Sequence, residues 1–306
     1  MFNLSSVKAE SQRACAEEIK ALTPSHRREV MAQLCFDRIA QKQEFLLEKY
    51  HDSDDWTQTA YFMLLRSLDI KANRACYEKL ARLLPYHYLQ KASLERRSIE
   101  AMLLGCSGLL ERLVAMSENN AELLELKSIF EYDSHKYGLE SMRVEEWQLV
   151  GHIGDNHPVV RLLQLASLLS QHSHLMNDLL ECRTKGDVER IFCKTTVPKW
   201  AYRLLAEESR RGAISRTKAQ MLGINVVAQL QILYSEYTMR GDLDTRGIDL
   251  LENLPAESNM FIARWGKLGI KAENALESQA LLQLTKEYCS SLHCDKCPLR
   301  RFLDAE

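Results

Sequence analysis

The chain is poor in the two residues that most often build turns. Of its 306 residues, only 12 are glycine and 6 are proline. A fold of many short strands needs the frequent turns that these residues supply. No alternation of apolar and polar residues is long enough to indicate a strand either. The sequence therefore argues against a sheet-based fold.

An excess of positive charge and long hydrophobic runs are also missing. The chain carries 40 Lys and Arg against 42 Asp and Glu, a formal net charge of -2. This balance excludes a basic surface over the whole protein, but it does not exclude local basic patches. No stretch approaches the roughly 20 apolar residues of a membrane-spanning helix. We therefore expect no membrane partner.

Cysteine occurs nine times, an odd number. Isolated thiols at apolar helical positions fit a reducing compartment rather than a disulfide framework. The first ten residues also lack the basic and then apolar layout of a secretory signal. We therefore predict a cytoplasmic protein. Six of the cysteines stand alone in the sequence: Cys15, Cys35, Cys76, Cys106, Cys182 and Cys193.

Helical periodicity dominates what is present. Apolar residues recur three or four positions apart, as they do in amphipathic helices, for example at Leu222, Val226 and Leu230. Residues 158–171 are apolar on nearly every side, which predicts a helix inside a bundle. Gly105 and Gly108 indicate either close approach of a neighbouring helix or a weak helix end. We predict an all-α fold, an irregular multi-helix array or a bilobed bundle with little or no sheet.

The helical pattern breaks most clearly at residues 151–158, which read Gly-His-Ile-Gly-Asp-Asn-His-Pro. Glycine, asparagine and proline in such a cluster favour an irregular turn. We therefore predict an N-terminal helical lobe over residues 1–150 and a C-terminal helical lobe over residues 151–288. A cysteine-bearing tail then covers residues 289–306.

This tail carries a cluster of candidate metal ligands. Cys289, Cys294 and Cys297 follow the pattern Cys-x4-Cys-x2-Cys, and His293 directly precedes the second cysteine. Thiolates two residues apart can bind one metal, because the turn between them points both sulfur atoms inward. His293 is a poorer ligand, since it adjoins Cys294. The alternative is a set of reduced thiols under a C-terminal loop, which we favour because three ligands fall short of a tetrahedral site.

A metal in this tail would be zinc or an iron–sulfur cluster. A structural zinc site needs four ligands, so a distant Cys or His would have to complete it. The tail also resembles the cluster-binding end of helix-hairpin-helix DNA glycosylases, in which four cysteines hold an iron–sulfur cluster. Its spacing differs, and Leu303 stands near the expected position of the fourth cysteine. Both departures weaken the interpretation as a cluster.

A second candidate site is the polar stripe of the apolar helix, formed by Arg161, Gln164 and Ser167. One interpretation is a site that binds an anion through the fork of Arg161, with Gln164 and Glu257 as further binding residues. The favoured interpretation is an internal salt bridge that fixes helix register, because buried polar groups are usually satisfied. A buried guanidinium needs such a partner, and the candidate carboxylates are Glu145, Glu146 and Glu257.

Some of the arginine doublets could attract phosphate if they shared one face. They are isolated in the sequence and interleaved with acidic residues, so solvated helix ends are the favoured interpretation. These doublets are Arg96-Arg97, Arg210-Arg211 and Arg300-Arg301.

Several segments agree in order and spacing with a known bacterial family. They are residues 99–110, residues 251–259, residues 278–284 leading to Cys289, Cys294 and Cys297, and the run from Asn156 through Pro158 to Arg161. The chain resembles the helical C-terminal part of the family called domain of unknown function 2851, over roughly residues 30–300. The resemblance implies a helical architecture and a bacterial cytoplasmic setting, and it carries no assigned activity.

Three classes of function remain. The leading one is a helical interaction or scaffold module with a protein partner and no evident catalytic site. The second is a nucleic-acid-associated module with a cysteine-bound metal or cluster at the C-terminus. The third is an enzyme with an internal polar site around Arg161, which ranks last because no pair of nucleophile and base is recognisable.

Overall fold

The computed structural model describes residues 4–69, 72–117, 119–151, 154–205 and 212–303, apart from the side chains of residues 4–11, 241–244 and 301–303. No strand occurs among the residues so described, and the predicted all-α multi-helix array is confirmed. In chain order the helices are α1 (Leu4–Ala21), α2 (Pro24–His51), α3 (Trp56–Leu68), α4 (Arg74–Leu83), α5 (Tyr86–Lys91), α6 (Arg96–Cys106), α7 (Leu109–Met116), α8 (Ala121–Tyr137), α9 (Pro158–Gln171), α10 (Leu175–Leu180), α11 (Lys185–Phe192), α12 (Lys199–Leu204), α13 (Arg216–Leu222), α14 (Ala228–Thr238), α15 (Gly241–Asn253), α16 (Met260–Lys267), α17 (Ala275–Gln283) and α18 (Pro298–Leu303).

The ends of these helices follow local chemistry. The carboxylate of Asp55 accepts hydrogen bonds from two backbone N–H groups in the first turn of α3, and Asn120 does the same for α8. Such caps satisfy N–H groups that have no partner within the helix. Gly138 ends α8 with a left-handed φ of 66°, a conformation that glycine adopts without steric cost. No described helix combines the length and the hydropathy needed to cross a bilayer.

A short 3₁₀ turn lies near each candidate site, and a π segment ends at the first tail cysteine. The π segments are Gly223–Val227, which joins α13 to α14, and Leu284–Cys289, which continues α17. A π segment inserts an extra residue into a helical turn and is often found at functional sites. The 3₁₀ turn Gly154–Asn156 lies just before α9, which carries Arg161, and the 3₁₀ turn Cys294–Lys296 directly precedes Cys297.

Packing divides the chain into two compact units. Unit 1 comprises Met1–Glu48, Arg183–Lys185 and Gln231–Glu306, and unit 2 comprises Lys49–Cys182 and Gly186–Leu230. The predicted boundary near residue 150 lies within unit 2, and the predicted tail belongs to unit 1 with the N-terminal helices. The grouping differs from the predicted lobes because apolar helix faces pack irrespective of their distance along the sequence.

Unit 2 is built around α9. Every residue from Pro158 to Leu169 is buried, as the all-round apolar pattern predicts for a helix inside a bundle. Helix α6 packs against both α9 and α8, and α3 packs against α4. The polar stripe of α9 is thereby enclosed.

Unit 1 contains helices from the N-terminal and the C-terminal parts of the chain. Helix α17 packs against α15 and α16, and its π extension packs against α1. The indole N–H of the fully buried Trp265 donates to the Thr285 hydroxyl over 2.7 Å. The C-terminal cysteines thus follow a segment that is fixed on a well-packed core.

Candidate functional site

The cysteine tail lies against the first helix of unit 1. Cys289 ends the π segment that packs on α1, and Cys294 begins a 3₁₀ turn that packs on the same π segment. Cys297 follows that turn and precedes α18. Arg300 of α18 approaches Glu18 of α1, with Nη1 3.8 Å from Oε1. Since Glu18 is one helical turn from Cys15, the tail and α1 meet at the level of that cysteine.

Cys15 is the member of this cluster that the sequence did not reveal. Its thiol is hydrogen-bonded to the thiol of Cys289. This bond lowers the pKa of Cys15, whereas the same bond and burial raise the pKa of Cys289. Cys297 and Cys294 also raise the pKa of Cys289 through their charge. Four thiols therefore share one neighbourhood, and no local pattern around Cys15 could have indicated it.

The four cysteines differ in exposure. Cys289 and Cys297 are buried, Cys15 is half-buried and Cys294 is exposed. The described side chains contain no group of three or more Cys, His, Asp or Glu residues arranged as metal ligands. His293 is exposed at the start of the 3₁₀ turn. The fold therefore supplies four thiols on converging segments, of which one pair is already in contact.

The polar stripe of α9 is an internal network. Arg161, only 5% exposed, donates from Nη1 to the Gln164 side-chain oxygen over 2.9 Å and from Nη2 to the Asn156 side-chain oxygen over 2.8 Å. Its Nε is buried and has no hydrogen-bond partner in the described part of the chain. Burial lowers the pKa of Arg161, and the charges of Tyr77 and Asp155 oppose this. Helix α9 places Arg161 next to Gln164. The groups that accept hydrogen bonds from Arg161 are the neutral side-chain amides of Gln164 and Asn156, whereas the sequence predicted a carboxylate.

A second buried cation near Arg161 was not predicted. Lys218 of α13 donates from Nζ to the backbone carbonyls of Ser67 and Leu68 over 2.5 and 2.9 Å. Burial, together with the nearby charge of Arg161, lowers the pKa of Lys218 to about 7. These carbonyls belong to the last turn of α3, where a basic group is favourable. Lys218 therefore caps the C-terminal end of α3. Its position in the sequence, on the short α13, did not predict this contact.

Glu257 has its partners within unit 1. Its carboxylate accepts a hydrogen bond from Asn259 over 3.2 Å, and its backbone N–H donates to the Ser278 hydroxyl over 3.0 Å. Burial lowers the pKa values of Arg38 and Lys42, and the charge of Glu257 opposes this. The predicted binding set is thus divided: Arg161 and Gln164 bond to each other in unit 2, and Glu257 belongs to a polar cluster of unit 1.

In the described part of the chain, the arginines of the doublets form ion pairs with acidic residues. Arg96 and Arg97 both pair with Glu100, whose side chain is 1% exposed. Arg97 also pairs with Glu122 over 2.8 Å. Arg210 and Arg211 lie outside the described residues, as does the side chain of Arg301.

An apolar cleft of about 200 Å³ opens on unit 2 between α7, the start of α9 and the end of α12. Met116 is 50% exposed and Val150 is 89% exposed at its rim. Arg112 and His157 are its polar members, and Arg112 forms no ion pair with any residue that the structure describes. The remaining lining is Leu109, Leu113, Leu149, Val159 and Leu205. The cleft can hold an apolar group next to a free cation.

Comparison with known proteins identifies the family and nothing finer. No curated protein and no solved structure matches the chain. A family model described as Protein of unknown function (DUF2851) matches residues 3–260. This match covers most of the chain and ends before the cysteine tail. The chain therefore belongs to the DUF2851 family of proteins of unknown function.

Proposed function

We propose that the protein is a cytoplasmic helical interaction module without a catalytic role, and that the cleft of unit 2 receives an apolar side chain from a protein partner. The observation that carries this is the contiguous apolar lining, which includes the exposed side chains of Met116 and Val150. Exposed apolar surface in a concave patch is typical of interaction sites. The nine cysteines, all free, support a reducing compartment.

The size of the cleft favours a side chain over a whole ligand. Its volume of about 200 Å³ is below the roughly 300–1,000 Å³ of small-molecule pockets. Protein interfaces commonly anchor one large apolar or aromatic side chain in a cavity of this kind. A partner segment can therefore insert one side chain into the cleft.

Charge at the rim specifies the partner further. Arg112 is exposed and lies at the edge of the apolar lining. A carboxylate on the partner, next to its apolar anchor, would pair with this guanidinium and improve specificity. The partner segment thus combines an apolar or aromatic residue with a nearby Asp or Glu.

The other two classes of function have less support. A nucleic-acid surface would need accessible basic groups, whereas Arg96 and Arg97 are held by Glu100. An enzyme around Arg161 would need an accessible functional group at that residue, whereas Arg161 is buried and bonds the side chains of Gln164 and Asn156. We therefore carry only the interaction module forward.

The test is selection of short displayed peptides on the immobilised full-length protein. We expect enriched peptides to combine an apolar anchor with an acidic residue. Val150→Glu or Met116→Glu should weaken the binding of these peptides at least tenfold. Leu124→Glu, at an apolar residue of α8 that is 45% exposed and outside the cleft, is the matched control and should bind like the wild type.

The rim charge is tested separately. Arg112→Glu should shift the selected peptides from acidic to basic residues next to the anchor. Arg82→Glu, at an exposed arginine of α4, should leave the preference unchanged. A selection that yields no peptide sensitive to Val150→Glu would overturn the proposal.

A further inference from the structure

We propose that Cys15 joins Cys289, Cys294 and Cys297 to bind one zinc ion, as a four-cysteine structural site that ties the first helix to the C-terminal end of the chain. This site is independent of the cleft of unit 2, because all four cysteines belong to unit 1. The tail alone offers three thiols, one fewer than a structural zinc site requires.

The first support is the convergence of backbone segments. The π segment that ends at Cys289 packs on α1, and the turn that begins at Cys294 packs on that π segment. The contact between Arg300 and Glu18 holds α18 beside α1. Three separate segments thus bring their cysteines to one place, although Cys15 and the tail lie at opposite ends of the sequence.

The second support is the proximity of the four thiols. Cys15 interacts directly with Cys289, and the charges of Cys294 and Cys297 also act on Cys289. Four thiolates match the tetrahedral coordination of one zinc ion.

The third support is the position of the remaining two cysteines. Cys294 is exposed and begins the 3₁₀ turn, and Cys297 is buried and directly follows it. The Cys-x2-Cys segment therefore offers two thiols on the turn that packs on the π segment of Cys289.

Binding requires deprotonation and no redox partner. Four thiols and one zinc ion give a tetrathiolate complex of net charge -2 and release up to four protons. Arg300 approaches Glu18, one helical turn from Cys15, so a positive charge is already present on the segment beside the complex. The expected affinity consequently falls as the pH is lowered.

The test is the zinc content of the full-length protein, purified without chelator under reducing conditions. We expect about one zinc per chain, since four thiolates complete one site. Cobalt substitution should give the near-ultraviolet charge-transfer band and the visible bands of tetrahedral thiolate coordination. Cys294→Ser should remove most of the metal from a protein that is still folded, because Cys294 is exposed. Cys15→Ser should do the same and is the decisive variant.

Cys193→Ser is the matched control, at a half-buried cysteine of unit 2, and should retain the full zinc content. Circular dichroism of each variant separates loss of metal from loss of fold. Absence of stoichiometric zinc, full zinc content in Cys15→Ser, or iron with acid-labile sulfide in place of zinc would each overturn the proposal.

Discussion

Gly105 of α6 lies directly beneath the aromatic ring of Phe130 of α8, so closely that a Cβ atom on the glycine would overlap the ring. Helix α6 also packs against the buried α9. The sequence left two interpretations of Gly105 open, and the structure shows the close approach of a neighbouring helix. This residue sets the distance between two helices of unit 2. Gly108 has a different role: it caps α7 with a φ of 73° and faces the Met142 carbonyl.

Gly105→Ala should destabilise the protein by roughly 1–3 kcal/mol, because the added methyl group forces α8 away from α6. The measurement is urea-induced unfolding followed by circular dichroism. Gly266→Ala is the matched control, since a Cβ at this glycine of α16 meets no atom within 4 Å. We expect it to be neutral or to stabilise by up to about 1 kcal/mol. Equal stability of the two variants would contradict steric contact at Phe130.

Lys218 should give the protein a stability that rises with pH. Its folded-state pKa is lowered from 10.5 to about 7, so the unfolded chain binds more protons between these values. The free energy of unfolding is therefore highest above the unfolded-state pKa of Lys218, where the lysine is neutral in both states. It decreases as the pH falls towards about 7, because the unfolded chain takes up the proton first. Lys218→Met should flatten the slope of unfolding free energy against pH in this window. Lys91→Met, at an exposed lysine of α5, should keep the wild-type slope.

Arg96 and Arg97 should be needed to keep Glu100 charged in the folded protein. Burial raises the pKa of Glu100, and the two arginines oppose this. Without them the folded-state pKa rises further above the unfolded value, so stability is retained at low pH and lost as the pH rises. We expect the double variant Arg96→Gln/Arg97→Gln to lose roughly 1–3 kcal/mol at neutral pH and less at about pH 5.

The matched control for this doublet adds Glu100→Gln to the double variant. The triple variant has no buried carboxylate, so its stability should depend less on pH between about 5 and 8. Unfolding midpoints in urea at several pH values measure both variants. A double variant as insensitive to pH as the triple variant would show that the ion pairs with Glu100 are unimportant.

Arg161 should not be replaceable by lysine. Its fork bonds Gln164 and Asn156 with separate nitrogen atoms, whereas a lysine ammonium is a compact single group that reproduces this geometry poorly. We expect Arg161→Lys to cost about 1–3 kcal/mol, as measured by denaturant unfolding. Arg112→Lys, at the exposed rim of the cleft, should change stability by less than about 0.5 kcal/mol. A neutral Arg161→Lys would contradict the bidentate role.

The sequence made the helical elements predictable because their signals are local. Apolar spacing indicated helices, and the all-round apolar pattern of residues 158–171 indicated a buried helix. Each of these signals lies within one or two helical turns, where neighbouring residues decide the conformation. The three tail cysteines were recognisable for the same reason.

The grouping of helices and the partners of the polar side chains were decided by tertiary structure. Cys15 meets Cys289 from the other end of the chain, Lys218 reaches the last turn of α3, and Glu257 bonds within unit 1. Such contacts depend on which apolar faces pack together, and many pairings of amphipathic helices satisfy the same periodicity. The sequence by itself determined which segments are helices and which of their faces are apolar. Only the packed structure decided which helices and which thiols meet, because burial selects partners in space and not along the chain.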